Sequence, residues 1–105
     1  MVNRGSIHWI NLDKRRPCVV MSSQDVLRAD IRQTHVVPLT SNMKRAGIAG
    51  NVMLRSSNTG LGSDSVAVPL GLELVDRSWL GEPVGQLPDP LLAEIESGLR
   101  KILGL

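Results

Sequence analysis

The apolar residues of this chain come in runs of a few residues, each closed by proline, glycine or charge, until one longer stripe begins near residue 89. This pattern constrains the fold most: short interrupted runs fit strands, and only the last segment carries a helical period. Ile7-His8-Trp9-Ile10-Asn11-Leu12 is rich in strand formers, and Asp13-Lys14-Arg15-Arg16-Pro17 breaks it with charge and a proline. Cys18-Val19-Val20-Met21 is continuously apolar and reads as a buried strand. Ser22 or Ser23 can cap a short helical turn over Gln24-Asp25-Val26-Leu27. His35-Val36-Val37-Pro38-Leu39-Thr40 is the next strand, irregular or exposed at Pro38, which has no N–H to give a ladder. Residues 41–50 read as a mobile basic loop, 51–54 as a strand and 56–62 as a turn-rich connection. Strands over 65–68 and 70–75 follow, with a bend or bulge marked by Pro69 and Gly71.

The end of the chain reads differently. Asp89-Pro90 is a helix start, a capping aspartate followed by a first-turn proline. Leu91, Leu92, Ile95, Leu99, Ile102 and Leu103 then form one apolar stripe. Glu94 and Glu96 lie toward the positive helix end, and Arg100 and Lys101 toward the negative one. Gly98 within that helix costs about 1 kcal/mol against alanine, and close packing on the sheet is a reason to keep it. The expected fold is mainly β with a C-terminal helix (α+β), an antiparallel barrel closed by that helix in one domain over 1–105.

A chain of 105 residues supports one core. Its hydrophobic fraction of 42% is that of a folded protein. Apolar runs fall short of the roughly 18–20 residues that cross a bilayer, and the polar Asn11 interrupts the start before a secretion signal is complete. One cysteine and two histidines make a standard zinc site improbable, so neither metal nor cofactor is expected. The cytoplasm, with no membrane partner, is the expected compartment.

Net charge is only +2, but residues 1–55 carry nine Lys/Arg against three acids and residues 56–105 three against seven. A basic half joined to an acidic half suggests a face for a polyanion; ordinary surface charge that cancels on folding is the alternative. The aromatics are Trp9 and Trp79 alone, too few for a stacking platform on a sheet surface. RNA binding would rest on arginines, hydroxyls and backbone groups. The tryptophans fit core or dimer-interface packing, with base stacking as the alternative.

Several segments, in order, carry a resemblance to a known family. Arg4-Gly5-Ser6-Ile7-His8-Trp9-Ile10-Asn11-Leu12 resembles the Arg-Gly-acidic-Ile-x-Trp opening of MazF/PemK toxins. Arg15-Arg16-Pro17-Cys18-Val19-Val20 resembles their Arg-Pro-x-Val-Val strand, and Val36-Val37-Pro38-Leu39-Thr40-Ser41-Asn42 their Val-Val-Pro-Leu-Thr-Ser-Asn segment. Asp64-Ser65-Val66, Val75-Asp76-Arg77 with Leu80-Gly81, and the closing Gly98-Leu99-Arg100-Lys101-Ile102-Leu103 are similar to the later strands and final helix. The resemblance implies an SH3-like barrel, a homodimer and neutralisation by a cognate MazE-like antitoxin. It implies sequence-specific, metal-independent cleavage of single-stranded RNA: mRNA, with rRNA or tRNA as further targets. The products would carry 2′,3′-cyclic phosphate and 5′-hydroxyl ends.

Such a reaction needs planar, permanently charged donors on the phosphate and short directional hydroxyl donors beside them. By its match to the family's Arg-Pro arginine, Arg16 is the first catalytic candidate, holding the scissile phosphate with some proton-transfer character. Thr40, matching the family's threonine, is the second. Ser41, Asn42, Lys44, Arg45 and Arg15 are candidates for binding RNA. For each a structural reading stands beside the functional one: solvated loop charge for the arginines, a backbone-bonded hydroxyl for Thr40, turn chemistry for Ser41 and Asn42. His8 and His35 are read as structural or surface histidines rather than general bases, and Cys18 as a small buried hydrophobe.

The chain departs from the family in three places. Leu12 reaches Arg16 through only three residues, where many members carry a longer loop; Leu70-Gly71 stands where several place Gln or Asp-Gln; and Ser6 replaces the usual acid. Two other readings are a gyrase poison of the CcdB type and a catalytically silent interaction module. The former acts through a C-terminal Trp-Gly-Ile, and this chain ends Leu103-Gly104-Leu105.

Overall fold

A computed structural model describes residues 1–11 and 14–105; the expected strand residue Leu12 and turn residue Asp13 lie outside them. The strands are β1 (Ser6–Asn11), β2 (Arg15–Val20), β3 (Gln33–Thr40), β4 (Val52–Leu54), β5 (Ser65–Ala67), β6 (Glu73–Asp76) and β7 (Gly85–Gln86). The helices are α1 (Gln24–Arg28), α2 (Ser56–Thr59) and α3 (Asp89–Leu103). Strand order is β4-β5-β3-β2-β1-β7, with β6 also on β3, and every pairing is antiparallel. The result is the mainly β, SH3-like half-barrel with a C-terminal helix that the sequence led us to expect. Among the described residues no helix is long and apolar enough to cross a membrane.

β3 organises the sheet. One edge pairs with β2 from Val20↔Val36 to Cys18↔Pro38; the other pairs with β6 over 33–36 and with β5 at Leu39 and Thr40. Pro38 sits at that change of partner. Its carbonyl accepts from Val68 N–H at 3.0 Å, so its donorless nitrogen also points to the β5 side and β2 loses nothing. The irregularity expected at Pro38 is therefore a switch between two strands.

Pro17 behaves in a related way. The sequence placed Arg15-Arg16-Pro17 in a break, yet all three belong to β2, in register with Asn11, Ile10 and Trp9. Trp9 gives its carbonyl to Gly81 N–H, away from β2, which turns the nitrogen of Pro17 toward β3. There the β2–β3 pairing begins only at Cys18. Both prolines thus remove donors at the same height of the sheet, and the strands part there.

Cys18, Val19 and Val20 are all fully buried because each face of β2 meets its own core. Val19 joins Ile7, Val37, Leu39, Leu54 and Ile95 in a cluster closed by α3; Cys18 and Val20 join Ile10, Leu27, Val36 and Val75 on the opposite side. At about 25 cal/mol per Å² of apolar surface, this burial on both faces is what a continuous apolar run contributes. The thiol of Cys18 is pushed up to about 12 by that burial, matching its reading as a small hydrophobe.

Helix α3 follows the expected stripe through Leu92 and Ile95, with Leu91 and Leu99 packed alongside. Two details differ. Pro88, not Asp89, occupies the N-cap position, so Asp89 serves as a first-turn acid without a side-chain cap bond. Ile102 and Leu103 are exposed rather than part of the buried stripe. Gly98 is explained by packing on the loop before β4 rather than on a strand: an added Cβ would stand 2.3 Å from the Gly50 carbonyl oxygen. Ser23 caps α1 by accepting from Val26 N–H, while Ser22 turns inward to bond His35 N–H and Thr34.

Residues 70–75 do not form one strand. Pro69–Gly71 is a 3-10 turn, and β6 starts only at Glu73. Gly71 lies against Pro38, where an added Cβ would come 2.6 Å from the proline ring. A side chain at this position, as in several relatives of the resembling family, would require the two segments to separate.

Candidate active site

A groove of about 750 Å³ opens where the two prolines part β2 from β3. Pro17, Pro38, Leu39 and Val68 line its apolar side, and Arg15, Arg16, Thr40, Ser41 and Arg45 bring its donors. Leu61, Gly62, Ser63 and Ser65 contribute to its walls as well. Nothing local in the sequence pointed to Ser63 and Ser65, which arrive through the pairing of β4 with β5.

Arg16 and Thr40 both line the groove, Arg16 from β2 and Thr40 from β3. The β2–β3 pairs end at Cys18↔Pro38; Arg16 and Thr40 each lie two residues beyond that pair, so alternation along each strand puts both on the face that Cys18 and Pro38 share. The Arg16 side chain is about half exposed and ion-paired with Glu73 at 3.6 Å. Thr40 Oγ accepts from Asn42 N–H at 3.2 Å, which fixes the oxygen and leaves its own proton to donate. The backbone-bonded reading of Thr40 therefore holds, and it leaves the hydroxyl proton uncommitted.

The RNA-binding candidates divide. Arg15, Ser41 and Arg45 reach the groove, whereas Asn42 and Lys44 do not. Asn42 instead caps a 3-10 turn over Met43–Gly47, its side chain accepting from Lys44 N–H. Asn51 donates to the Arg45 carbonyl and ties that turn down, so the expected loop contains a built turn that aims Arg45 inward and leaves Lys44 in solvent. Arg15 lies over the Trp9 ring, 4.7 Å from its centroid. Trp9 is accordingly a groove residue, and Trp79 is 40% exposed; neither is buried in the core as the sequence had allowed.

His8 is fully buried on β1 beside Cys18. The Gly81 carbonyl 2.7 Å from Nδ1 can only accept, so Nδ1 carries the proton; Ser6 Oγ lies 2.7 Å from Nε2 and also 2.7 Å from the Asn3 carbonyl, two acceptors that share its single proton. Burial lowers its pKa from 6.5, the Gly81 bond opposing that shift. Ser6, where the resembling family has an acid, is thus the partner of a structural histidine. His35 is exposed and outside the groove.

Charge folds back in part. Arg4–Glu96, Arg16–Glu73 and Arg32–Asp76 each join the basic half of the chain to the acidic half. Among the described residues Arg15 and Arg45 form no ion pair, so the groove retains positive potential. Also among the described residues, no three His, Cys, Asp or Glu side chains gather as a metal-binding group.

The model of the PemK-like, MazF-like toxins of type II toxin–antitoxin systems matches residues 3–103. The chain belongs to this family. Endoribonuclease MazF6 of Mycobacterium tuberculosis is 30% identical over 113 residues, covering 100% of this chain and 99% of the relative. A MazE–MazF structure from Deinococcus radiodurans superposes with a TM-score of 0.79 at 27% identity, over 98% of this chain and 95% of that one. A mycobacterial endoribonuclease solved with its cognate antitoxin gives a TM-score of 0.86 at 22% identity, over 100% and 97% of the two chains, a likeness of fold. In this MazF-like toxin Arg16-Pro17 and Thr40-Ser41 line one groove.

Proposed function

We propose that this chain is a MazF-type endoribonuclease toxin whose groove cuts single-stranded RNA, with Arg16 and Thr40 holding the scissile phosphate. The observation that supports the assignment is that these two side chains line one groove where the β2–β3 ladder opens. The substrate's 2′-oxygen forms a bond to phosphorus as the bond to the 5′-oxygen breaks; the 2′ proton leaves and the 5′-oxygen takes one up. The products are a 2′,3′-cyclic phosphate and a 5′-hydroxyl, and no metal enters the reaction. Arg16 provides paired N–H donors to the non-bridging oxygens and stays charged throughout. Thr40 adds a hydroxyl donor from an oxygen already fixed by Asn42 N–H. Charge builds on those oxygens in the transition state, where preorganised donors contribute most.

Arg45, Ser41 and Arg15 line the path of the flanking nucleotides, and their positive charge makes binding sensitive to salt. Lys44 and Asn42 act further out, Asn42 by shaping the turn that presents Arg45. The chain works as a single domain and a homodimer in the cytoplasm, where a cognate MazE-like antitoxin neutralises it. The Deinococcus MazE–MazF structure supports such a partner.

The test is incubation of a long single-stranded RNA of mixed sequence with purified protein in EDTA, beside Arg16→Ala and Thr40→Ala. Discrete cuts with cyclic-phosphate ends, lost in both folded variants, are expected. Intact RNA with the wild type would contradict the reading. For the dimer, sedimentation showing only a monomer at micromolar concentration would count against it.

A further inference from the structure

We propose that Glu73 is a positioning residue for Arg16: its carboxylate holds the guanidinium so that the remaining N–H groups meet the scissile phosphate. This rests on the reading that Arg16 contacts that phosphate.

Arg16 sits near the start of β2, its side chain about half exposed, and a long side chain in that setting loses orientation quickly. Catalysis by a preorganised donor requires a second point of support, because a displacement of about 1 Å can cost on the order of 10²-fold in rate. Glu73 is placed to provide it. β2 and β6 lie on opposite edges of β3, and Glu73 pairs with Val36. The ion pair therefore spans the central strand and reaches Arg16 from beside the groove, since Arg16 lines it and Glu73 does not. Glu73 meets one terminal nitrogen, Nη2, of a guanidinium that has five N–H donors. The others stay available for phosphate.

Both partners are substantially exposed, and such pairs contribute little to folding. A carboxylate beside a polyanion site also repels RNA. Removing it should therefore improve binding while slowing the chemistry, two effects in opposite directions that a purely structural residue would not produce.

The experiment measures single-turnover cleavage with excess enzyme, on an oligonucleotide spanning a cut site mapped from a long transcript. Affinity is read separately on the same oligonucleotide carrying a 2′-deoxy residue at the scissile position. Glu73→Gln should slow cleavage about tenfold, within the range set by loss of positioning, while affinity holds or rises. Glu73→Asp, with its carboxylate set back by one methylene, should fall between. In the Arg16→Ala background Glu73→Gln should add no further loss, because it acts through Arg16. An unchanged or faster rate in Glu73→Gln would overturn the proposal. So would an equal loss in the Arg16→Ala background, which would make Glu73 a catalytic group in its own right. If Arg16→Ala itself cleaves at the wild-type rate, the assignment of Arg16 fails first and the proposal with it.

Discussion

His8 and Arg16 lie on neighbouring strands, His8 beside Cys18 and Arg16 two residues before Cys18 on β2, and their surroundings differ in one respect on which the proposed roles turn. Both ring nitrogens of His8 are engaged inside the protein, by Gly81 and Ser6, and no solvent reaches the ring. Arg16 is about half exposed, pairs with Glu73 through one nitrogen and lines a groove that Thr40 also lines. Histidine has the more useful intrinsic pKa for proton transfer, but a group whose donors and acceptors are already used, behind a closed surface, cannot reach a substrate. In the proposed reaction the chemistry therefore falls to Arg16 and Thr40 at the opening in the ladder, and buried His8 with Ser6 serves the fold.

Breaking the open side should give the largest effect. Arg16→Ala should lower the cleavage rate by about 10²–10³-fold, the usual loss when one preorganised transition-state donor is removed. Its melting temperature should stay near that of the wild type, because the arginine is half exposed. Thr40→Val keeps shape but loses the hydroxyl and should cost about 10- to 100-fold, below the loss for a charged donor; Thr40→Ser should recover most of it. Rates for folded protein, checked by circular dichroism, separate these effects from unfolding.

The closed side should respond in stability and hardly in rate. His8→Leu leaves its buried partners without a ring nitrogen and should destabilise by about 1–3 kcal/mol, read by urea denaturation, with cleavage by the folded fraction unchanged. Its pH dependence has a definite sign. The folded-state pKa is lowered from 6.5 by burial, so below 6.5 the unfolded chain takes up a proton that the folded one resists. Stability linked to His8 is fully present above pH 6.5 and is lost as pH falls through the window beneath it. The difference in stability between wild type and His8→Leu should therefore shrink on acidification, and a difference that grows would contradict the neutral, buried histidine.

A smaller effect is expected at Lys44. Lys44→Ala should weaken RNA binding slightly and reduce its salt dependence, whereas Arg45→Ala should do both more strongly, because only Arg45 reaches the groove. Equal effects of the two would mean that the turn over Met43–Gly47 does not set which cation meets the RNA.

Much of this fold is visible in the sequence because its cues are local. The run 18–21, the strand formers of β1 and the stripe of α3 each declare themselves by short-range period, and Asp89-Pro90 marks the helix start to within a residue. Arg16 and Thr40 became candidates through family resemblance, since nothing in an Arg-Arg-Pro segment by itself distinguishes a strand from a turn. Pro17 is tolerated in β2 only because its nitrogen points where no ladder bond is needed, a fact set by the partner strands. The groove walls at Ser63 and Ser65, and Glu73 beside Arg16, depend on pairings between distant segments and leave no local pattern. β7, two residues long, is too short to show a period.

The most direct test of the central claim is the structure of the protein with a short RNA carrying a 2′-deoxy residue at the scissile position. The account predicts the scissile phosphate between β2 and β3, with non-bridging oxygens within hydrogen-bond distance of the Arg16 guanidinium and Thr40 Oγ. A scissile phosphate bound elsewhere, with neither side chain in reach, would contradict it.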